Sequence, residues 1–288
     1  MTCVRELLKA TPLPLLEARM LLQQVLQVSR SWLIAHDTDT LDDAAVARFK
    51  AFEHRRQVGE PMAYLVGVRE FMGHDFQVGP GVLIPRPDTE VLVETAIACI
   101  HRLAADSARQ QGASNLIRQQ PSVRVLDLGT GSGAIAVSVA LACPAACVTA
   151  TDASPQALEV ARTNARNLGA AVTFHAGNWY DALPPGCNLF DLIVSNPPYI
   201  RADDPHLTQG DLRFEPAGAL TDGHDGSSAF RAIIGGANAW LKPGGALWLE
   251  HGWDQAAAVR EQLVKAGFKR VESLTDLAGI ERISGGYL

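Results

Sequence analysis

The sequence predicts an α/β protein, with a doubly wound parallel sheet covered by helices on both faces and a small helical domain ahead of it. From about residue 123 onwards, short apolar runs alternate with stretches of helical spacing. A glycine cluster from Gly129 to Gly133 separates the first apolar run from the first of these helices. Residues 1 to about 66 carry helical spacing alone. At 288 residues the chain is long enough to bury a large core and to form two units.

Two stretches predict the N-terminal bundle. Leu15 to Leu26 has apolar residues at helical spacing, and Asp42 to His54 repeats the pattern after an acidic start. The glycines and proline between Phe71 and Ile84 favour a hairpin that leads into the larger part of the chain. We therefore expect a helical bundle over residues 1–70, a hairpin linker over 71–87 and a second domain over 88–288.

The second domain should begin with a helix and continue with alternating elements. Asp88 is a candidate cap for a helix from Thr89 to about Leu103. From Asp106 to Ser122 the chain turns polar and loses its period, which indicates a surface connection. Strands are then predicted at 123–128, 147–151, 172–175, 190–195 and 246–250, and helices at 133–142, 155–168, 227–241 and 254–266. Such alternation is typical of right-handed crossovers in a doubly wound sheet.

The glycine motif begins where the first predicted strand ends. The run from Val125 to Ala136 reads V-L-D-L-G-T-G-S-G-A-I-A, in which glycines permit a tight turn and a close approach of a ligand to the backbone. A dinucleotide site would space its glycines as G-x-G-x-x-G, whereas this chain has G-x-G-x-G. The next predicted strand ends at Asp152, an acid placed to bind a ribose diol.

A second motif, Asn196-Pro197-Pro198-Tyr199, follows the apolar strand that ends at Ser195. The prolines cannot donate backbone hydrogen bonds, and they stiffen the segment. A planar NH₂ group could therefore give one hydrogen to the side-chain oxygen of Asn196 and the other to the Pro197 carbonyl, with the Tyr199 ring against it. A Pro-Pro turn with a core-filling tyrosine would show the same four residues, and only their combination with the glycine turn and Asp152 favours a binding site.

These motifs resemble class I S-adenosylmethionine-dependent methyltransferases and, among them, the PrmC/HemK family of protein-glutamine methyltransferases. The resemblance also covers Gly67 to Phe71, Leu83 to Glu90, Asp204 to Leu207, Gly210 to Pro216 and Glu250 to Trp253. It implies a Rossmann-like sheet of seven strands, the last of which form an antiparallel hairpin over Arg270 to Leu274 and Glu281 to Ser284.

The resemblance also implies the site residues and the substrate. Gly129, Thr130, Gly131, Ser132 and Gly133 would border the methionine part of S-adenosyl-L-methionine, Asp152 would bind its ribose and Trp179 would lie beside its adenine, with Asn196 also near the cofactor. Asn196 and Pro197 would be catalytic, and both would bind the glutamine together with Pro198 and Tyr199.

The substrate implied by the resemblance is the glutamine of the Gly-Gly-Gln motif in class I peptide chain release factors, which act in translation termination. The helical bundle would be the docking surface for this protein partner. A departure is Asn178, where relatives often carry an acid, so the partner of the adenine amino group stays open. Asp127 is expected to place the cofactor or the glycine loop rather than to remove a proton.

Other functions stay open from the residues alone. A ribosomal-protein glutamine would fit the same pocket, as would the amino group of a flipped adenine or cytosine. A cofactor-binding module without catalysis is a further alternative. The net charge of −6 disfavours a protein that covers nucleic acid.

Composition sets the remaining expectations. The five cysteines form no regular framework, which indicates reduced thiols, and Cys143 with Cys147 cannot complete a zinc site, so no metal is expected. The N-terminus lacks the layout of a signal peptide, and no apolar stretch reaches the length of a membrane span. We therefore expect a cytoplasmic monomer that binds a protein substrate and neither membrane nor nucleic acid directly.

Overall fold

The structure is a computed structural model that describes residues 2–110 and 123–288. The helices in this part of the chain are α1 (Val4–Ala10), α2 (Leu15–Leu26), α3 (Arg30–Ala35), α4 (Asp43–Gln57), α5 (Met62–Val66), α6 (Glu90–Gln110), α7 (Ala134–Ala142), α8 (Pro155–Leu168), α9 (Ala217–Leu220), α10 (Ser228–Ala237) and α11 (Ala256–Lys265). The strands are β1 (Val68–Phe71), β2 (His74–Gln77), β3 (Arg124–Leu128), β4 (Cys147–Asp152), β5 (Val172–Ala176), β6 (Phe190–Ser195), β7 (Leu241–Glu250), β8 (Lys269–Thr275) and β9 (Glu281–Tyr287).

The N-terminal helices α1 to α5 pack around a core of their own. Leu21 and Leu22 of α2 and Phe49 of α4 are fully buried there. The Asp42 side chain caps α4 by accepting from the Ala45 backbone N–H at 2.5 Å. The helices predicted for Leu15 to Leu26 and from Asp42 onwards are therefore confirmed.

The hairpin forms earlier than the sequence predicted. Strands β1 and β2 pair from Val68 to Gln77, and the turn between them is made by Met72 and Gly73, both at positive φ. The prediction of a hairpin over 71–84 was wrong in its bounds because the glycines after residue 78 belong to a loop that borders the main cavity. Asn164 of α8 holds the end of the hairpin, since its side-chain amide both accepts from and donates to the Gln77 backbone.

Within the described residues, the central sheet has seven strands in the order β5-β4-β3-β6-β7-β9-β8. Strands β3 to β7 are parallel, whereas β9 is antiparallel to both β7 and β8. The predicted doubly wound sheet and its terminal antiparallel hairpin are thus confirmed. The predicted strand at 246–250 is longer, because β7 also takes in the Pro243-Gly244-Gly245 segment.

The segment before the sheet differs in detail from the prediction. Residues Pro87–Thr89 form a 3-10 turn that continues directly into α6, so Asp88 lies within the turn. Its carboxylate forms an ion pair with Arg282 at 3.3 Å. Helix α6 continues past Leu103 to Gln110, and the rest of the predicted surface connection up to Ser122 lies outside the described residues.

The parallel strands bring their carboxyl ends to one edge of the sheet. There the Ser195 hydroxyl at the end of β6 donates to the Leu128 carbonyl at the end of β3 at 2.6 Å. This bond keeps the glycine motif and the Asn-Pro-Pro-Tyr motif side by side. In the described part of the chain, no helix combines the length and the apolar character needed to cross a bilayer.

Candidate active site

A cavity of about 720 Å³ opens at the carboxyl edge of the sheet. Eight of the predicted site residues line it, namely Gly129, Thr130, Gly131, Ser132, Asp152, Trp179, Asn196 and Pro198. The other three, Gly133, Pro197 and Tyr199, do not line the cavity, but each is next in sequence to a residue that does. The two motifs recognised in the sequence therefore share one cavity.

Asp152 holds the glycine loop through a hydrogen bond. One of its carboxylate oxygens accepts from the Gly131 backbone N–H and the other accepts from the Ser154 backbone N–H, each at 2.8 Å. A Cβ built on Gly131 would meet no atom within 4 Å, so the backbone there borders open space. A ligand can therefore approach both the loop amides and the Asp152 carboxylate.

Gly133 serves the packing of helices rather than the lining of the cavity. It stands at φ +83° as the residue before α7, and a Cβ there would lie 3.1 Å from the Ala161 Cβ of α8. A side chain at this position would strain the backbone and push the two helices apart. Gly133 does not line the cavity, so no contact supports the prediction that it borders the cofactor.

Asp127 is buried beneath the loop. Its Oδ2 accepts from the Thr130 hydroxyl at 2.6 Å, whereas its Oδ1 is buried without a hydrogen-bond partner. Burial raises the pKa of Asp127 to about 7, although the bond from Thr130 opposes the shift. An unpaired buried oxygen beside the cavity is suited to a polar or cationic group of a ligand.

Trp179 forms another wall of the cavity. Its φ of 46° lies in the left-handed region, which is unusual for so large a side chain. The indole covers Gly129, where a Cβ would come within 3.3 Å of the ring. The flat indole face is suited to a planar heterocycle, and Asn178 lines the cavity beside it.

The Asn-Pro-Pro-Tyr motif closes the cavity beside the glycine loop. The Asn196 Nδ2 donates to the Thr89 hydroxyl oxygen at 3.2 Å. Pro197 is buried, and the Tyr199 hydroxyl donates to the Glu250 Oε1 at 3.3 Å. The Tyr199 backbone carbonyl accepts from the Gln255 side chain at 3.0 Å, so the motif is fixed from both sides.

Sequence reasoning missed several residues of the site. Thr89 lines the cavity and hydrogen-bonds to Asn196, and Asp222 also lines the cavity. Asp222 accepts from the backbone of His224 and Gly226 and from both the backbone and hydroxyl of Ser228. In the sequence, Thr89 stood out only as part of the run from Leu83 to Glu90, and that run had been assigned no role in the site.

No cluster of three or more histidine, cysteine, aspartate or glutamate side chains able to hold a metal occurs within residues 2–110 and 123–288. The polar groups at the cavity include the carboxylates of Asp152 and Asp222, the amides of Asn178 and Asn196, several hydroxyls and the loop N–H groups.

Two family models match the chain. The methyltransferase small domain matches residues 104–212, and the PrmC N-terminal domain matches residues 2–67. A protein of Bordetella pertussis named release factor glutamine methyltransferase is 58% identical over the full length of both chains. The chain belongs to the PrmC/HemK family.

Further relatives extend the similarity. A release factor glutamine methyltransferase of Burkholderia pseudomallei is 54% identical over 98% of this chain and 95% of its own. One of Neisseria gonorrhoeae is 49% identical over 98% of this chain and 96% of its own. A solved methyltransferase of Pyrococcus furiosus superposes with a TM-score of 0.52 at 19% identity, over 83% of this chain and 98% of that one, which shows the shared fold.

Membership of the PrmC/HemK family makes the chain a class I methyltransferase, and S-adenosylmethionine is its methyl donor. The cavity fits this molecule in two respects, because it has an indole wall at Trp179 for an adenine and a carboxylate at Asp152 for a diol. The unpaired Asp127 oxygen lies behind Thr130 of this lining and would suit a charged amino group that reached the loop.

Proposed function

We propose that this protein transfers a methyl group from S-adenosylmethionine to the side-chain amide nitrogen of a glutamine in a class I peptide chain release factor. The observation that carries the proposal is the shared cavity, in which Asn196 and Pro198 stand beside the glycine loop, Asp152 and Trp179. The names of the full-length relatives support the release factor as substrate. The glutamine of the Gly-Gly-Gln motif is the target that the family resemblance favours.

The residues of the chain act on the amide by holding it. The Asn196 side-chain oxygen and the Pro197 carbonyl would accept the two hydrogens of the glutamine NH₂. Two acceptors push electron density towards the nitrogen, whose lone pair is otherwise delocalised into its carbonyl group. The stiff Pro-Pro backbone keeps both acceptors in place. The amide nitrogen would therefore become reactive because it is held in position beside the methyl group.

The methyl donor supplies an electrophilic methyl group when it is bound. Asp152, Trp179 and the loop from Gly129 to Ser132 would hold it, and oxygens aimed at the amide would stabilise the positive charge that develops on the nitrogen. The proton left on the product nitrogen passes to solvent, and no general base is assigned.

The N-terminal bundle is proposed as the docking surface for the release factor. Leu16 is 64% exposed and Met20 is 39% exposed on α2, and Met20 borders a shallow groove with Gln23 and Val66. The bundle is tied to the cavity wall, because the Val58 carbonyl accepts from Arg213 at 2.6 Å, three residues before Pro216 of the lining. We take the protein to act in the cytoplasm as a monomer on this partner.

Methyl transfer to separate substrates tests the proposal. The protein is incubated with radiolabelled S-adenosylmethionine and, in parallel, with purified release factor, ribosomal proteins and DNA. Label in the release factor alone, lost when its Gly-Gly-Gln glutamine is changed to alanine, is the expected result. Label only in ribosomal protein or only in DNA would replace the proposed substrate, and label in none would indicate a binding module.

A further inference from the structure

The side-chain amide of Asn196 can face the cavity with either its oxygen or its NH₂. In the structure, Nδ2 donates to the Thr89 hydroxyl oxygen at 3.2 Å, so Oδ1 is turned away from Thr89. A hydroxyl can donate as well as accept, and Thr89 alone would therefore tolerate the flipped amide equally well. A further group in contact with Thr89 must therefore fix the orientation of the Asn196 amide.

Glu250 lies behind Thr89. It ends β7, one residue beyond Leu249, which pairs with Ser195 of β6, so Glu250 and Asn196 are neighbours at the same sheet edge. Its side chain is only 2% exposed. Its Oε1 accepts from the Tyr199 hydroxyl at 3.3 Å, and its Oε2 is buried without a hydrogen-bond partner. Asp88, the residue before Thr89, pairs with Arg282, and Ile283 pairs with Glu250 in the sheet, so Thr89 lies near this carboxyl, and its hydroxyl lowers the pKa of Glu250.

We propose that Glu250 and Thr89 are positioning residues that fix Asn196 with its oxygen towards the substrate, so that the site accepts a carboxamide and rejects a carboxylate. An ionised carboxylate can only accept, and its unpaired Oε2 gives the Thr89 hydroxyl an acceptor to which it would donate. The Thr89 oxygen is left as an acceptor for the Asn196 Nδ2, and Oδ1 is directed into the cavity. A glutamate in place of the target glutamine would bring a carboxylate against this oxygen. The inference rests on the proposed function, since it assumes a glutamine substrate.

The proposed orientation of Asn196 depends on the negative charge of Glu250. Burial and the nearby Asp88 carboxylate raise the pKa of Glu250 to about 7, against the lowering effects of Thr89, Tyr199 and Arg282. Below this pH the protonated carboxyl can itself donate to Thr89, and the direction of the hydrogen bonds is no longer enforced. We therefore expect kcat to fall as the pH drops through about 7.

Three variants test the chain of hydrogen bonds. Thr89→Val removes the hydroxyl at nearly constant volume, Thr89→Ser retains it, and Glu250→Gln replaces the obligatory acceptor with a group that can also donate. Each is assayed with S-adenosylmethionine and a release-factor peptide that contains the target glutamine. We expect kcat to fall about 10- to 100-fold in Thr89→Val and Glu250→Gln and to recover in Thr89→Ser, with KM for the cofactor nearly unchanged.

Binding provides a readout that does not need turnover. The affinities of the glutamine peptide and of its Gln→Glu counterpart are measured by calorimetry with S-adenosylhomocysteine present. The wild type should prefer glutamine by about 100-fold, and Glu250→Gln should reduce the preference to about tenfold or less. The acid limb of the kcat profile should also disappear in Glu250→Gln. Thr149→Val, a buried threonine in β4, is the matched control and should change neither quantity.

The outcomes separate the inference from the function. A wild-type preference for glutamine that persists in Thr89→Val and Glu250→Gln would overturn the inference, as would an unchanged kcat in both. Loss of thermal stability with normal kcat and normal preference would also overturn it, because it would indicate a structural role alone. An inactive wild type with no affinity for either peptide would instead reject the proposed function.

Discussion

The Arg86 guanidinium donates to the buried carboxylate of Glu215, which also accepts from the Ile84 backbone N–H at 3.0 Å. One carboxylate thus joins two segments that are about 130 residues apart in the sequence. Pro85 and Pro216, the neighbours of this pair, both line the cavity. The ion pair therefore sets the distance between two walls of the active site.

Glu215→Ala should destabilise the protein by about 3 kcal/mol, because it leaves the guanidinium without its partner and the Ile84 N–H without an acceptor. Chemical denaturation measures the change. Asp203→Ala is the control, since Asp203 pairs with Arg201 on the surface, where solvent screening leaves such pairs with little effect on stability. Equal effects of the two substitutions would mean that the buried pair has no special role.

Asn196→Ala should abolish turnover while it leaves cofactor affinity nearly unchanged. The substitution removes one of the two proposed amide acceptors, whereas the loop, Asp152 and Trp179 remain. We expect kcat to fall about a thousandfold or more and the Kd for S-adenosylmethionine to stay within about threefold. Labelled methyl transfer and calorimetry give the two values. Full activity in the variant would contradict the role assigned to Asn196.

Trp179→Ala should weaken cofactor binding, because it removes the indole wall of the cavity and the cover over Gly129. A loss of aromatic contact of this size corresponds to about a 10- to 100-fold rise in Kd. Trp179→Phe keeps a ring and should cost much less. Calorimetric titration with S-adenosylhomocysteine distinguishes the two variants, and equal affinities of all three proteins would remove Trp179 from the proposed site.

Leu16→Asp should impair methylation of the intact release factor without affecting a short peptide. Leu16 is exposed on α2, so a charge there should leave folding intact while it disfavours an apolar contact. We expect KM for the intact partner to rise about tenfold or more and KM for the peptide to stay constant. Ile34→Asp on α3, at a similarly exposed position, maps the extent of the surface. A parallel rise for peptide and protein would exclude docking at α2.

The sequence located well the elements that are marked by one clear pattern, either a short apolar run or a helical spacing with end signals. Strands β3, β4 and β6 are buried on both faces and show as short apolar runs, and helix α8 runs from Pro155 to Leu168 and is ended by Gly169, as its end signals indicate. The hairpin was misplaced because its turn uses Met72 at φ 53°, and a methionine gives no turn signal. The glycines further on were visible but serve a loop.

The lining of the site was predictable only where a motif stands at a strand end. Gly129 and Asn196 each follow a parallel strand and Asp152 ends one, so the sheet brings them together. Thr89 reaches the same place only through a contact between distant parts of the chain, because it lies 107 positions from the Asn196 that it contacts. Hydrophobic periodicity contains no information on such contacts, and only the folded chain reveals them.

The buried Asp127 should make the cofactor-free protein less stable as the pH rises. Burial raises its pKa from 3.8 to about 7 in the folded state, so between these values the folded protein binds a proton that the unfolded chain releases. The free energy of unfolding therefore decreases as the pH rises from about 4 to about 7, and it levels off above.

Asp127→Asn removes this titration, and the variant should gain about 2 to 4 kcal/mol over the wild type between pH 4 and pH 8. Urea denaturation without ligand, at four pH values across this range, measures the difference. Asp203→Asn provides the control, because Arg201 lowers the pKa of the exposed Asp203 carboxyl below 3.8, so its difference from wild type should stay nearly constant between pH 4 and pH 8. A difference between Asp127→Asn and wild type that stays constant with pH would show that Asp127 is already ionised in the folded protein at pH 4.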